Sequence, residues 1–227
     1  MAKKEQVKRI FDSISYRYDM LNHLLSLGVD KYWRKKALKI GALNKESKLL
    51  DVACGTGDFA VEAEKYGVEN IIGADLSIEM LKLYNNKSGT SRGMTVQCVA
   101  ENLPFMNKSF THITAAFGVR NFYDILEGFK SFHNVLEFNG RVIILEFSLP
   151  GNPVIKKFYL IYFNHILPFI GKLISRDKEA YDYLPESVNY FDVNVDLEEL
   201  LAEAGFKHIL RTNLTFGIVQ VITADKI

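Results

Sequence analysis

The sequence predicts an α/β fold in which a mostly parallel seven-stranded sheet is finished by an antiparallel hairpin. Three observations carry this. From residue 48 onward, apolar runs near 48–53, 70–75, 94–99, 110–117 and 140–148 alternate with helical patterns near 58–66, 77–86 and 121–137. Such alternation needs crossover connections, which place helices on both faces of a parallel sheet. The first run, Leu49-Leu50-Asp51-Val52, leads into Cys54-Gly55-Thr56-Gly57-Asp58, a glycine turn that opens a helix. The last two runs, near 206–212 and 214–224, are separated by little more than Asn213, and so short a connection permits only antiparallel pairing.

Ahead of the sheet, residues 3–44 read as helices. Val7, Ile10, Phe11 and Ile14 recur at helical spacing, and Trp33, Leu38 and Ile40 continue a third segment up to Gly41. After the fifth strand comes a long apolar helix near 154–174, then a polar, tyrosine-bearing insertion from Ser175 to Asn194. A helix of Leu197, Leu200, Leu201 and Ala204 follows and stops at Gly205. A chain of 227 residues buries about 70% of its unfolded surface in one core, so a single domain is the simplest organisation. Within it, 1–44 form a helical cap, 45–150 the nucleotide-binding half, and 151–227 the apolar helix, the insertion and the hairpin.

Composition narrows the function. A net charge of +1 gives no basic face for nucleic acid. Cys54 and Cys98 are too few for a disulfide framework, which suits a reducing cytoplasm. The five histidines show no i, i+4 pairing and no cysteine partners at zinc spacing, so no metal is expected. The N-terminus lacks the apolar core of an export signal. Lys156, Lys157, Asn164, His165 and Pro168 interrupt the apolar stretch of 154–174, which therefore does not span a membrane, although it suits a membrane surface or a greasy tunnel.

The glycine turn poses the question of which nucleotide it holds. Gly55-Thr56-Gly57-Asp58-Phe59-Ala60 satisfies the loose dinucleotide pattern, yet a pyrophosphate wants the bare amides of the helix start. Asp58 places a carboxylate there, where it would cap those amides and repel phosphate. S-adenosylmethionine has no phosphate and carries an ammonium and a sulfonium, so the acids at Asp51 and Asp58 suit it better. Asp75 ends the second strand at the offset where a carboxylate bonds ribose hydroxyls, with Leu76 next to it; the plain alternative is a helix cap. Val99 and Ala100 end the third strand, where their backbone groups can bond adenine while Glu101 or Leu103 lies against it. Phe117-Gly118-Val119-Arg120-Asn121 ends the fourth strand and puts Arg120 and Asn121 beside the methyl donor, unless Arg120 instead caps the next helix or pairs with Glu146.

A parallel sheet closed by a hairpin is the Rossmann-like form of class I methyltransferases, and the chain resembles one family of them over nearly its whole length. Phe11-Asp12, Tyr18-Asp19, Ser26-Leu27-Gly28 and Trp33 carry the likeness in the cap. Leu103-Pro104-Phe105, the arginine-asparagine strand end, Leu145-Glu146-Phe147-Ser148 and Tyr183-Leu184-Pro185-Glu186-Ser187-Val188 extend it. Together these resemble the demethylmenaquinone/ubiquinone C-methyltransferases. The resemblance implies methyl transfer from S-adenosylmethionine to a ring carbon of a reduced, polyprenylated quinol. By position it implies Thr56, Asp75, Val99 and Ala100 as cofactor contacts, and Tyr18, Arg120 and Asn121 around the ring. With the rest of the turn, the expected cofactor set is Asp51, Gly55, Thr56, Gly57, Asp75, Leu76, Val99, Ala100, Glu101 and Ala116.

Against the family pattern, Val99 replaces a usual asparagine, Ala116 a cofactor-contacting serine, Asp30 a histidine, Arg176 a glycine and Asp192 a proline. Tyr181, Tyr183 and Glu186 suit a substrate lid. Peripheral membrane contact and a homodimer stay open. The competing functions are an O- or N-methyltransferase of another small apolar molecule, a binding module without catalysis, and a nicotinamide dehydrogenase.

Overall fold

The computed structural model describes residues 4–87, 89, 94–166 and 178–227; expectations that fall on 167–177, Arg176 included, lie outside them. Two helices rather than three segments open the chain, α1 (Lys4–Leu25) and α2 (Val29–Ile40), because a single left-handed turn at Gly28 (φ 77°) joins them. Then β1 (Lys48–Val52), α3 (Asp58–Glu64), β2 (Asn70–Asp75), α4 (Ile78–Lys87), β3 (Thr95–Gln97) and β4 (Phe110–Ala116) alternate as expected. A 3-10 turn at Val119–Asn121 precedes α5 (Ile125–Val135), which Asp124 caps by accepting the Glu127 amide.

Strand β5 (Leu136–Phe147) starts several residues before the predicted position. The hairpin of β6 (Lys207–Leu214) and β7 (Val219–Asp225) turns through Thr215–Gly217, a longer link than the sequence suggests. Sheet order is β3-β2-β1-β4-β5-β7-β6. All neighbours are parallel except β7, which inserts antiparallel between β5 and β6. The chain therefore winds away from β1 in both directions, and the crevice of an open sheet lies where that reversal occurs, at the carboxyl ends of β1 and β4.

Alternation along the strands divides the core into two layers. Leu49 faces Trp33, Leu38, Phe59 and Tyr84 from α2, α3 and α4. Its neighbour Leu50 faces Phe129 and Phe132 of α5, and Leu197 and Leu201 of α8 (Leu197–Glu203). A third cluster joins Tyr159 of α6 (Pro153–Ile161) and Phe163 of the π-turn after it to Val188. Val188 lies on α7 (Lys178–Asn194), a helix where a polar insertion was expected. Its pattern is helical, since Leu184, Val188 and Phe191 recur every three or four residues and the last two are buried. Pro185 and the many polar residues mask this pattern in the sequence.

Candidate active site

Two cavities open at the switch point. The first is built on the glycine turn. Gly55 (φ 54°) presents bare backbone to it, and a side chain there would meet only the Tyr18 ring, at 3.9 Å. The Gly55 amide donates to Asp75 Oδ2 at 2.8 Å and the Ser77 amide to Oδ1 at 2.8 Å, which fixes the carboxylate at the cavity wall. Each oxygen keeps a lone-pair site for a further donor, so a ribose diol can be accepted without loosening the clamp. Burial raises the Asp75 carboxyl above its usual range, and the two amides oppose the rise. Leu76, Val99, Ala100, Glu101 and Ala116 line the same cavity. Glu101 also has a local task, accepting the Tyr123 and Asp124 amides at 2.7 and 3.1 Å.

The structure turns four predicted residues elsewhere. Asp51 is 1% exposed and accepts from Thr114 Oγ1 at 2.7 Å across the β1–β4 pair; burial pushes its carboxyl up to about 7. Thr56 Oγ1 donates to Asp19 Oδ1 of α1 at 2.5 Å. Gly57 makes room for Tyr84, whose ring would lie 2.6 Å from an added Cβ. Asp58 does not cap α3, which begins at Gly57 without a side-chain cap. It pairs instead with Lys87 and with Arg34 Nη2 at 3.2 Å, because two cations within reach outweigh one amide.

The second cavity, about 320 Å³, is walled mostly by apolar and aromatic side chains from α1, α2, α6, α7 and the ends of β4 and β5. Phe11, Tyr18 and Phe117 line both cavities and form the seam between them. Phe117 is in a left-handed conformation (φ 57°), as is Ala53 (φ 52°), and at Gly118 an added Cβ would lie 2.4 Å from that of Ala53. Strained backbone at two neighbouring strand ends is characteristic of working sites.

The 3-10 turn divides the predicted pair between the cavities: Arg120 lines the apolar one and Asn121 the other. Arg120 Nη1 donates to Glu146 Oε1 at 2.7 Å and to the Phe117 carbonyl at 2.5 Å, and its guanidinium lies 5.6 Å from the Phe147 ring centre. Glu146 is fully buried. Arg120 Nε has no partner among the described residues. Asn121 Oδ1 accepts from the Tyr183 hydroxyl at 2.7 Å, so the tyrosine suspected of forming a lid docks on the strand end. Burial raises the Tyr18 hydroxyl, and a hydrogen bond to Asn22 opposes it.

Helix α1 roofs both cavities. Asp12 accepts from Ser77 Oγ at 2.5 Å, and Asp19 holds Thr56 and, at 2.7 Å, Lys87. Sequence spacing missed this, as it missed the meeting of His23, Asp30 and Asp58, whose ligand atoms lie within 4.8 Å of one another. Arg34, paired with both carboxylates, already supplies the cation there. The signal for Glu146 was present: a lone charge inside the apolar run from Val142 to Phe147 must find a partner.

An oriented carboxylate, bare glycine backbone and an apolar slot behind Leu76, Val99 and Ala100 fit S-adenosylmethionine. Among the described residues no helix is long and apolar enough to cross a membrane. The ubiE/COQ5 methyltransferase family model matches residues 1–226. Demethylmenaquinone methyltransferase of Chlorobaculum parvum is 43% identical, covering 98% of this chain and 93% of its own. Ubiquinone/menaquinone biosynthesis C-methyltransferase UbiE of Geotalea uraniireducens is 40% identical, covering 99% and 97%. Among solved structures, an S-adenosylmethionine-dependent methyltransferase of Thermotoga maritima superposes with a TM-score of 0.68 at 18% identity, over 96% of this chain and 99% of the other, a likeness of fold. The chain thus belongs to the ubiE/COQ5 methyltransferase family and is an enzyme that uses S-adenosyl-L-methionine as its methyl donor.

Proposed function

We propose that the acceptor is a reduced polyprenyl quinone precursor, demethylmenaquinol or its ubiquinone-pathway equivalent, methylated at a ring carbon. The observation that carries this reading is the pair of cavities meeting at Phe11, Tyr18 and Phe117, one suited to a nucleoside and the other aromatic with a buried guanidinium in its wall. The names of the relatives support the same acceptor class.

When bound, S-adenosylmethionine supplies an electrophilic methyl on a sulfonium. The chain must make a ring carbon nucleophilic. Lowering a phenol from near 10 to about 7 needs on the order of 4 kcal/mol. A guanidinium has donors and no acceptor, so Arg120 acts as a donor to the phenolate oxygen and not as a base. Because Glu146 already balances its charge, its contribution is a directed N–H rather than a net positive field. Tyr18, kept neutral by burial, donates at the seam, and Asn121, steadied by Tyr183, holds the second ring oxygen or a water. Alignment of carbon, methyl and sulfur under α1 contributes up to about 7–11 kcal/mol.

A contact of the cavity mouth with a membrane surface belongs to the same proposal. Val154, Phe158 and Ile161 form an exposed apolar stripe on α6 beside Lys156 and Lys157, and Leu27 and Phe216 are 82% and 78% exposed. The deciding experiment presents labelled S-adenosylmethionine with demethylmenaquinol and with a panel of catechols and amines. Label on the quinol carbon is expected; label on the panel alone refutes the acceptor.

A further inference from the structure

Leu27 marks a mouth of the apolar cavity. Among the described residues of the cavity wall it alone is largely exposed, at 82%, while the others are buried or half-buried. A wall residue that stands mostly in water lies where the wall opens. Leu27 does not line the donor cavity, whose seam with this one is made elsewhere by Phe11, Tyr18 and Phe117. The cavity thus connects the methyl donor to solvent at the turn between α1 and α2.

The backbone there is strained where an easier residue would serve. Leu27 is left-handed (φ 52°), a conformation that helix ends ordinarily give to glycine or asparagine. The turn between β6 and β7 forms a second edge: Thr215 and Ile218 line the same cavity, and Phe216 between them is 78% exposed. Thr215 and Phe216 are also left-handed (φ 47° and 58°). Trp33 Nε1 donates to Thr215 Oγ1 at 2.7 Å and ties this turn to α2. Single exposed apolar side chains are ordinary, but two of them on strained turns along one cavity carry a cost that the protein alone does not recover. An apolar occupant recovers it.

The cavity, about 320 Å³, is at the small end of ligand pockets, which run from about 300 to 1,000 Å³. It takes a quinol ring with little room beyond, so a polyprenyl tail has to leave it. We propose that the acceptor's isoprenoid tail leaves over Leu27 and the Thr215–Gly217 turn, where Leu27 and Phe216 form a subsite for its first units and select tailed over tailless acceptors. This rests on the quinol reading above. The subsite only binds; no proton transfer or covalent step belongs to it.

The test is Leu27→Asn, with Phe216→Asn beside it, because asparagine removes the apolar surface and suits left-handed backbone better than either native residue. Reduced naphthoquinones bearing no tail, one isoprene unit or two are assayed with S-adenosylmethionine in solution, without detergent or vesicles. In the wild type kcat/KM rises with each unit. In each variant the ratio of tailed to tailless kcat/KM falls about tenfold, the worth of one buried apolar side chain, while the melting temperature holds or rises as strain is relieved. A variant that keeps the wild-type ratio, or that melts lower, overturns the assignment. So does an effect that appears only with vesicles, which gives the rim to the membrane, or only at high protein concentration, which gives it to a second copy. A wild type inert towards all of these quinols overturns the acceptor reading and this assignment with it; one that is active without preferring a tail overturns the assignment alone.

Discussion

Replacing Glu146 with glutamine keeps its shape and strands a positive charge in the interior. The carboxylate is fully buried, takes Arg120 Nη1 at 2.7 Å and accepts the Arg120 and Phe147 amides at 3.3 and 3.0 Å. Glutamine can still accept one or two of these bonds but cannot neutralise a guanidinium whose side chain is only 6% exposed. Breaking a buried pair from one side costs about 3–5 kcal/mol. For a domain of this size each kcal/mol lowers Tm by about 2–4 °C, so the expected loss is about 6–20 °C. Thermal unfolding measures it, with turnover assayed in parallel; kcat falls while donor Kd is kept, since Glu146 does not line the donor cavity. The double variant Arg120→Met, Glu146→Gln removes both charges and regains more than half of the lost Tm, while remaining inactive. An E146Q protein melting with the wild type, or a double variant melting no higher than E146Q, refutes the charge-balance account of this pair.

Asp75→Asn offers one carbonyl oxygen to two amide donors and to the ribose, so donor Kd rises about 10–100-fold by calorimetric titration; an unchanged Kd removes Asp75 from the donor site. Asp51, raised to about 7 when folded against about 3.9 when unfolded, binds its proton more tightly in the native state. It therefore withholds stability increasingly as pH climbs from about 4 to 7, by about 4 kcal/mol at the limit. The Tm advantage of Asp51→Asn over the wild type widens between pH 5 and pH 8, and a constant difference contradicts the shift. Gly57→Ala forces a side chain at φ 87° to within 2.6 Å of buried Tyr84, which costs about 1–3 kcal/mol in chemical denaturation. Wild-type stability in that variant denies the packing role.

Much of the fold was legible because burial patterns repeat within one element. Leu49 and Leu50 face opposite layers as the period-two rule demands, and the parallel pairing of the first five strands with an antiparallel closing hairpin follows from connection lengths. Asp75, Leu76, Val99 and Ala100 reach one cavity because strand ends are set by the sheet. What the sequence hid are pairings between elements far apart in the chain. Asp58 reads as a cap until Arg34 arrives from α2, and Thr56 reads as a ligand contact until Asp19 arrives from α1. Likewise α7 reads as a polar loop until Val188 and Phe191 have something to pack against.

The anchoring of α1 makes the two ligands thermodynamic partners. One helix touches both chambers through Phe11 and Tyr18, and it is strapped to the sheet by Asp12 and Asp19. Whichever ligand settles that helix first bears the ordering entropy, and the second binds to a roof already in place. Linkage makes the gain reciprocal: the factor by which donor tightens quinol is the factor by which quinol tightens donor. Slack in these two carboxylate straps, which bond Ser77, Thr56 and Lys87 rather than Arg120 or Asn121, would thus be felt as lost cooperation between substrates rather than as a damaged site.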